Sequence, residues 1–184
     1  MLGSAVARQL VSAVVVLALI TGVAVARGEQ PAEYQVKAEF IERFTRFIEW
    51  PAGTDGRGNF LIGVIGDNPF NGYLEKMANE RRINGRRIEI RHLTEPAQAE
   101  GCQIVFICAS ERDRLRRILS HTESRPILTI GDTAGFAAAG VLINFYTSGE
   151  TVHFEMNETA IERSGLKVSS RLLKLARLVD PGTR

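Results

Sequence analysis

The chain has 184 residues, 45% of them hydrophobic and 24% charged; that length buries one core well and is too short for two comfortable domains. Net charge is +2, and beyond residue 26 the balance is 22 basic to 21 acidic side chains. So even a balance argues against a nucleic-acid partner held by phosphate neutralisation.

In chain order the first feature is an apolar run from Leu10 to Ala26, preceded by Arg8 and ending in Ala24-Val25-Ala26. Small residues there suit a signal peptidase, and a run this short lies at the lower limit for a membrane span. A secretory signal over 1–26, cleaved after Ala26, is the expectation, with a retained anchor as the alternative; both export a domain over 31–180. From Tyr34 to Glu49, Tyr34, Ala38, Ile41, Thr45 and Ile48 fall at helical spacing, with Phe40, Phe44 and Phe47 as a second stripe. The periodicity predicts a helix buried on more than one side, or one whose face awaits a partner, ending at Trp50-Pro51.

Phe60–Ile65 is a near-continuous apolar run, as in a strand covered on both faces. Gly66-Asp67-Asn68-Pro69 then predicts an N-capped helix to about Asn79. Asn84-Gly85 turns into a strand over 88–93, a short helix follows near 95–99, and Gln103–Ile107 is another covered strand. Ser110 and Asp113 suggest a capping-box-like start for a basic helix to about His121. Ile127–Ile130 is a strand, and Gly131-Asp132-Thr133 opens a small helix ending near Gly140. Val141–Thr147 and Thr151–Asn157 flank a turn at Ser148-Gly149-Glu150 and read as a hairpin. Ser169 to Val179 reads as a capped helix burying Leu172, Leu175, Ala176 and Val179. The alternation predicts an α/β fold: a single-domain three-layer sandwich with a mostly parallel sheet and an antiparallel hairpin at one edge.

The two Gly-Asp turns end strands before helices, where open α/β sheets bind ligands. Asp67, Asn68, Asp132 and Thr133 are therefore candidate ligand residues, with plain helix capping as the competing reading. Neither turn is a Gly-rich nucleotide loop, and no GxGxxG or GxxxxGK[ST] occurs. His153 and Glu155 share a strand face, but no third ligand is suggested nearby, so neither a metal nor another cofactor is expected. No Gly-x-Ser-x-Gly occurs and no histidine is placed to activate Ser110 or Ser169; an enzyme is not expected. Cys102 and Cys108 bracket a strand that holds their Cα atoms about 20 Å apart, beyond disulfide reach. They read as buried apolar side chains or as one half of an intermolecular bridge. The arginines of 112–117 alternate with Glu111, Asp113 and Leu115, as on a solvated helix face rather than a single-sign stripe for a membrane. Phe44, Phe47 and Trp50 are the candidate partner-binding residues, with core packing as the alternative.

With those residues laid out, the chain resembles the YfiR family of periplasmic regulators from about Tyr34 to Val179. The carriers are Lys37-Ala38-Glu39-Phe40 with Phe44, Phe47 and Glu49-Trp50-Pro51, then Ile65-Gly66-Asp67-Asn68-Pro69-Phe70, Asn84-Gly85-Arg86, Cys102–Ile107, Pro126–Asp132 with Gly135-Phe136, Ile143-Asn144-Phe145, Phe154–Asn157 and Ser169–Ala176. The resemblance implies a soluble periplasmic α/β domain that binds the periplasmic part of an inner-membrane diguanylate cyclase, or a similar membrane sensor, and represses it. It also implies release by an outer-membrane lipoprotein. Well-studied relatives carry disulfide pairs; here Cys102 lacks an evident partner and Cys108 sits in the strand, so their redox control is not carried over. A small-molecule-binding module at the carboxyl ends of the strands is the alternative function, and a homodimer stays open as an assembly.

Overall fold

Unbroken apolar runs become the central strands, because only a strand covered on both faces has no side to give to water. A computed structural model describes residues 30–53 and 58–179; the expected signal segment over 1–26 lies outside them. Helix α1 (Gln30–Phe44) leads to β1 (Ile48–Glu49) and β2 (Phe60–Ile65). Then come α2 (Tyr73–Glu80), β3 (Arg82–Ile83), β4 (Arg86–Leu93) and a 3-10 turn at Pro96–Ala99. β5 (Ile104–Ile107), a second 3-10 segment at Ala109–Arg114, α3 (Leu115–Thr122) and β6 (Leu128–Gly131) follow. β7 (Ile143–Ser148), β8 (Thr151–Asn157), α4 (Glu158–Ser164), β9 (Lys167–Val168), α5 (Ser170–Leu173) and β10 (Arg177–Val179) complete the order.

The sheet runs β10-β8-β7-β6-β5-β2-β4-β3, and β1 pairs with β9 as a separate antiparallel ribbon. Neighbours from β4 through β2, β5 and β6 to β7 are parallel. β7 and β8 are antiparallel, as are β3 and β4. Strand alternation divides the core. Ile62, Val64, Ile104, Phe106 and Ile130 face α1, α2 and α4, whereas Ile65, Val105 and Ile107 face α3 and the 3-10 segments. The result is one domain of three layers around a mostly parallel sheet, as the alternation of elements predicts. The hairpin of β7 and β8 joins that sheet beside β6, with β10 outside it.

Several boundaries differ from the expectation, each for a tertiary reason. α1 stops at Phe44 rather than running to Glu49. Thr45 Oγ1 donates to the Glu42 carbonyl at 2.6 Å, and Ile48 and Glu49 are drawn into pairing with Val168 and Lys167. Helix α2 begins at Tyr73, behind Gly72 with φ of 84°. Asn68 instead closes a turn by accepting from the Phe70 amide at 2.9 Å, and Asp67 caps nothing. Ser110 and Asp113 lie inside a 3-10 segment, so no capping box forms there. Residues 133–140 make a series of turns, with Phe136 N donating to Thr133 O and Ala139 N to Gly135 O, rather than a helix. At the tail, Ser169 does cap, accepting from Arg171 N. α5 lasts only four residues before the chain turns and β10 pairs parallel with β8, Leu178 opposite Met156. Leu172 is buried as expected; Leu175 is 72% exposed.

Candidate functional site

Because β5 lies between β2 and β6, the segments that follow the carboxyl ends of all three converge. Asp67 follows β2, Cys108 follows β5 and Asp132 follows β6. The two Gly-Asp turns are thus brought to one end of the sheet, with the thiol between them. Gly66 has φ of 95°, and a Cβ there would lie 2.4 Å from Ser110 Oγ and 2.8 Å from Glu111 Cγ. Only glycine lets the turn lie this close, and the Asp67 amide takes up the contact by donating to Ser110 Oγ at 2.9 Å.

One oxygen of Asp132 carries two bonds: Oδ2 accepts from the Tyr34 hydroxyl at 2.9 Å and from Lys37 Nζ at 2.8 Å. Lys37 Nζ also pairs with Glu33 at 2.6 Å, one helical turn back, and lies 4.2 Å from the centre of the Tyr34 ring. Lys37 is 3% exposed, so its charge is held inside by these partners. Burial, and after it the Asp132 charge, pushes the Tyr34 phenol well above its ordinary value. The group ties α1 to the end of β6. Sequence reading gave Asp132 and missed Tyr34 and Lys37; the available signal was a lysine on the apolar stripe of a helix, four residues after Glu33.

Thr133, beside it, is buried. Its amide donates to Asn144 Oδ1 at 3.2 Å, and Asn144 Nδ2 donates in turn to Thr133 O and to Glu155 Oε1, both at 3.1 Å. The Thr133 hydroxyl has no hydrogen-bond partner among the described residues. Glu155 further accepts from Arg177, whose guanidinium lies 4.0 Å above the Tyr146 ring. Glu155 is thereby consumed by structure, and His153 stacks on Tyr146 instead of joining it.

Cys108 is 1% exposed. Burial first, then the negative charges of Asp132, Asp67 and Glu111, push its thiol up to about 12. Such a thiol stays protonated and is a poor nucleophile. Burial likewise raises Cys102, and both cysteines are free. The groups gathered here hold the end of the sheet together; the Thr133 hydroxyl and Glu111 Oε2 are buried there without a hydrogen-bond partner among the described residues.

The aromatic candidates lie elsewhere. Phe44 is 1% exposed, its ring 5.7 Å from Phe145 and 5.0 Å from Phe154. Trp50 is 8% exposed and meets Phe60 edge-on at 5.5 Å, with Nε1 lacking a hydrogen-bond partner among the described residues. Phe47 is half-buried, at the β1–β9 ribbon, where its carbonyl accepts from Ser169 N at 2.8 Å. Of the three, Phe47 has surface to offer a partner, with Phe44 and Trp50 in the interior.

A family model described as YfiR/HmsC-like matches residues 34–177. Among solved structures, a conserved domain protein from Vibrio cholerae O1 biovar El Tor is similar, with TM-score 0.56 and 10% identity, over 79% of this chain and 59% of that one. The ABC domain from Streptococcus pneumonia in complex with L-Trp is similar with TM-score 0.55 and 11% identity, over 79% and 60%. The chain spans about three-fifths of each of these neighbours, and the likeness is one of fold.

Proposed function

The chain belongs to the YfiR/HmsC-like family, and we propose that it is a non-enzymatic periplasmic protein that represses an inner-membrane diguanylate cyclase by binding that enzyme's periplasmic part. The family match over 34–177 carries this reading. The site at the sheet end supports it: Asp132 is bonded to Lys37 and Tyr34, and Cys108 is protonated and buried. Repression would come from differential affinity, the chain binding the inactive state of its partner more tightly than the active one. The contact surface centres on Phe47 and the β1–β9 ribbon, with Phe44 and Trp50 holding that ribbon's aromatic support from inside. An outer-membrane lipoprotein that competes for the chain would release the partner. Capture from intact envelope with the chain as bait tests the reading. A diguanylate cyclase retained by the wild type and lost with Phe47→Ala is expected; envelope proteins retained equally by both would contradict it.

One observation favours a second reading. The Thr133 hydroxyl is buried without a hydrogen-bond partner among the described residues, beside Asp132 and across β5 from Asp67 and Asn68, as in a site for a small polar ligand at the carboxyl ends of the strands. A thermal-shift screen of periplasmic metabolites separates the two, because a ligand of the native state raises the melting temperature. A hit lost in Thr133→Val supports the ligand site.

A further inference from the structure

From Arg163 to Val179 the chain carries five cations, Arg163, Lys167, Arg171, Lys174 and Arg177, and no carboxylate. Arg177 is taken up by Glu155. The other four are exposed and pair with no carboxylate among the described residues. They fall successively on the last turn of α4, on β9, on α5 and on the turn after it. The arginines of 112–117 form no such single-sign strip, because Arg114 and Arg117 answer Glu95 and Glu111.

Apolar surface accompanies this charge. The large hydrophobic side chains exposed among the described residues are Val36, Leu175 at 72% and Leu178 at 48%. Two of the three therefore sit within the cationic strip, Leu175 in the turn beside Lys174 and Leu178 on β10, the outermost strand of the sheet. Folding does not require either to be exposed. Leucines projecting from a turn and a sheet edge, in a segment where Arg171 and Lys174 are exposed and pair with no carboxylate among the described residues, are the composition of an interfacial membrane anchor. A protein partner would instead need a pocket shaped to them, whereas a lipid surface accepts a convex apolar tip without complementary shape.

We propose that the segment 163–179 docks the protein on an anionic lipid surface, Arg171 and Lys174 meeting phosphate headgroups while Leu175 and Leu178 enter the acyl boundary. The proposal stands on this segment and not on the regulatory reading above. Docking would be peripheral and salt-sensitive, since headgroup attraction falls off within a Debye length.

The test uses the full chain with a polarity-sensitive fluorophore on Ser170→Cys, an exposed position in the strip; the buried Cys102 and Cys108 stay unlabelled. A second label on Ser148→Cys, the last residue of β7 and opposite Thr151, reports any binding that does not involve the strip, including binding by the apolar run Leu10–Ala26. On mixed phosphatidylglycerol–phosphatidylcholine vesicles the Ser170 label should shift to the blue and lose the shift as salt rises. The Ser148 label, and either label on pure phosphatidylcholine, should not shift. Arg171→Glu/Lys174→Glu should weaken binding at least about tenfold, and Leu175→Ser/Leu178→Ser should remove the blue shift. All four side chains are exposed, so both variants keep the fold, checked by circular dichroism. No shift at Ser170, an equal shift on neutral vesicles or at Ser148, or a shift that survives the charge reversal would overturn the proposal. The first of these would assign the strip to an acidic protein surface.

Discussion

Lys37 and Asp132 form an ammonium–carboxylate pair withdrawn from water, and removing one partner of such a pair leaves the other charge stranded. Asp132→Asn should therefore cost about 3 kcal/mol, at the low end for a buried pair because Glu33 still reaches Lys37. Urea denaturation should show the loss as a lower midpoint with unchanged slope; a midpoint within error of wild type would contradict the assignment. Cys108 makes a second prediction. Its thiol ionises near 9 in an unfolded chain and at about 12 in the fold. Between those values the unfolded state binds fewer protons, so stability falls as pH rises through that window, and the raised Tyr34 phenol acts in the same direction at its alkaline end. At pH 8 neither cysteine should react with a thiol reagent until the chain is unfolded. Fast reaction of one of them in the native protein would mean an accessible thiolate.

Among the elements, the two Gly-Asp turns show what local pattern conveys and where it stops. The sequence echo of Val64-Ile65-Gly66-Asp67 and Thr129-Ile130-Gly131-Asp132 suggested ligand turns, and the structure places both at one end of the sheet. The glycines themselves answer to packing: Ser110 crowds Gly66, and a Cβ at Gly131 would meet Phe136 at 2.8 Å and Asn144 at 3.0 Å. Gly66→Ala should cost more than about 1 kcal/mol, since φ is positive and the space is filled. Gly58→Ala, with open space around it, should leave the melting temperature nearly unchanged. Equal effects of the two would remove the close approach of Ser110 from the account. The covered strands were legible because burial on both faces leaves an apolar run in the sequence. β1, β9 and β10 were not, because two- or three-residue strands exist only through pairing with distant segments. The tail shows this best: Leu172, Leu175, Ala176 and Val179 have helical spacing, yet pairing with β8 draws the last of them into a strand. The Tyr34–Lys37–Asp132 group was half legible, since separations of 95 and more residues join its members.

For the whole molecule, interior and surface aromatic residues separate stability from function. Phe44→Ala opens a cavity among Phe145, Phe154 and Phe40 and should cost about 3–5 kcal/mol, with loss of the folded protein in cells. Phe47→Ala should keep the fold while losing regulation. In the proposed function the chain acts by surface complementarity, as a repressor of cyclic di-GMP synthesis. Cellular cyclic di-GMP tests that claim most directly, measured in a strain lacking the gene and again after its return as wild type or as Phe47→Ala. The account predicts a rise on deletion, return to the starting level with the wild type, and no return with Phe47→Ala at equal protein abundance. Unchanged cyclic di-GMP on deletion, across growth conditions, would contradict it.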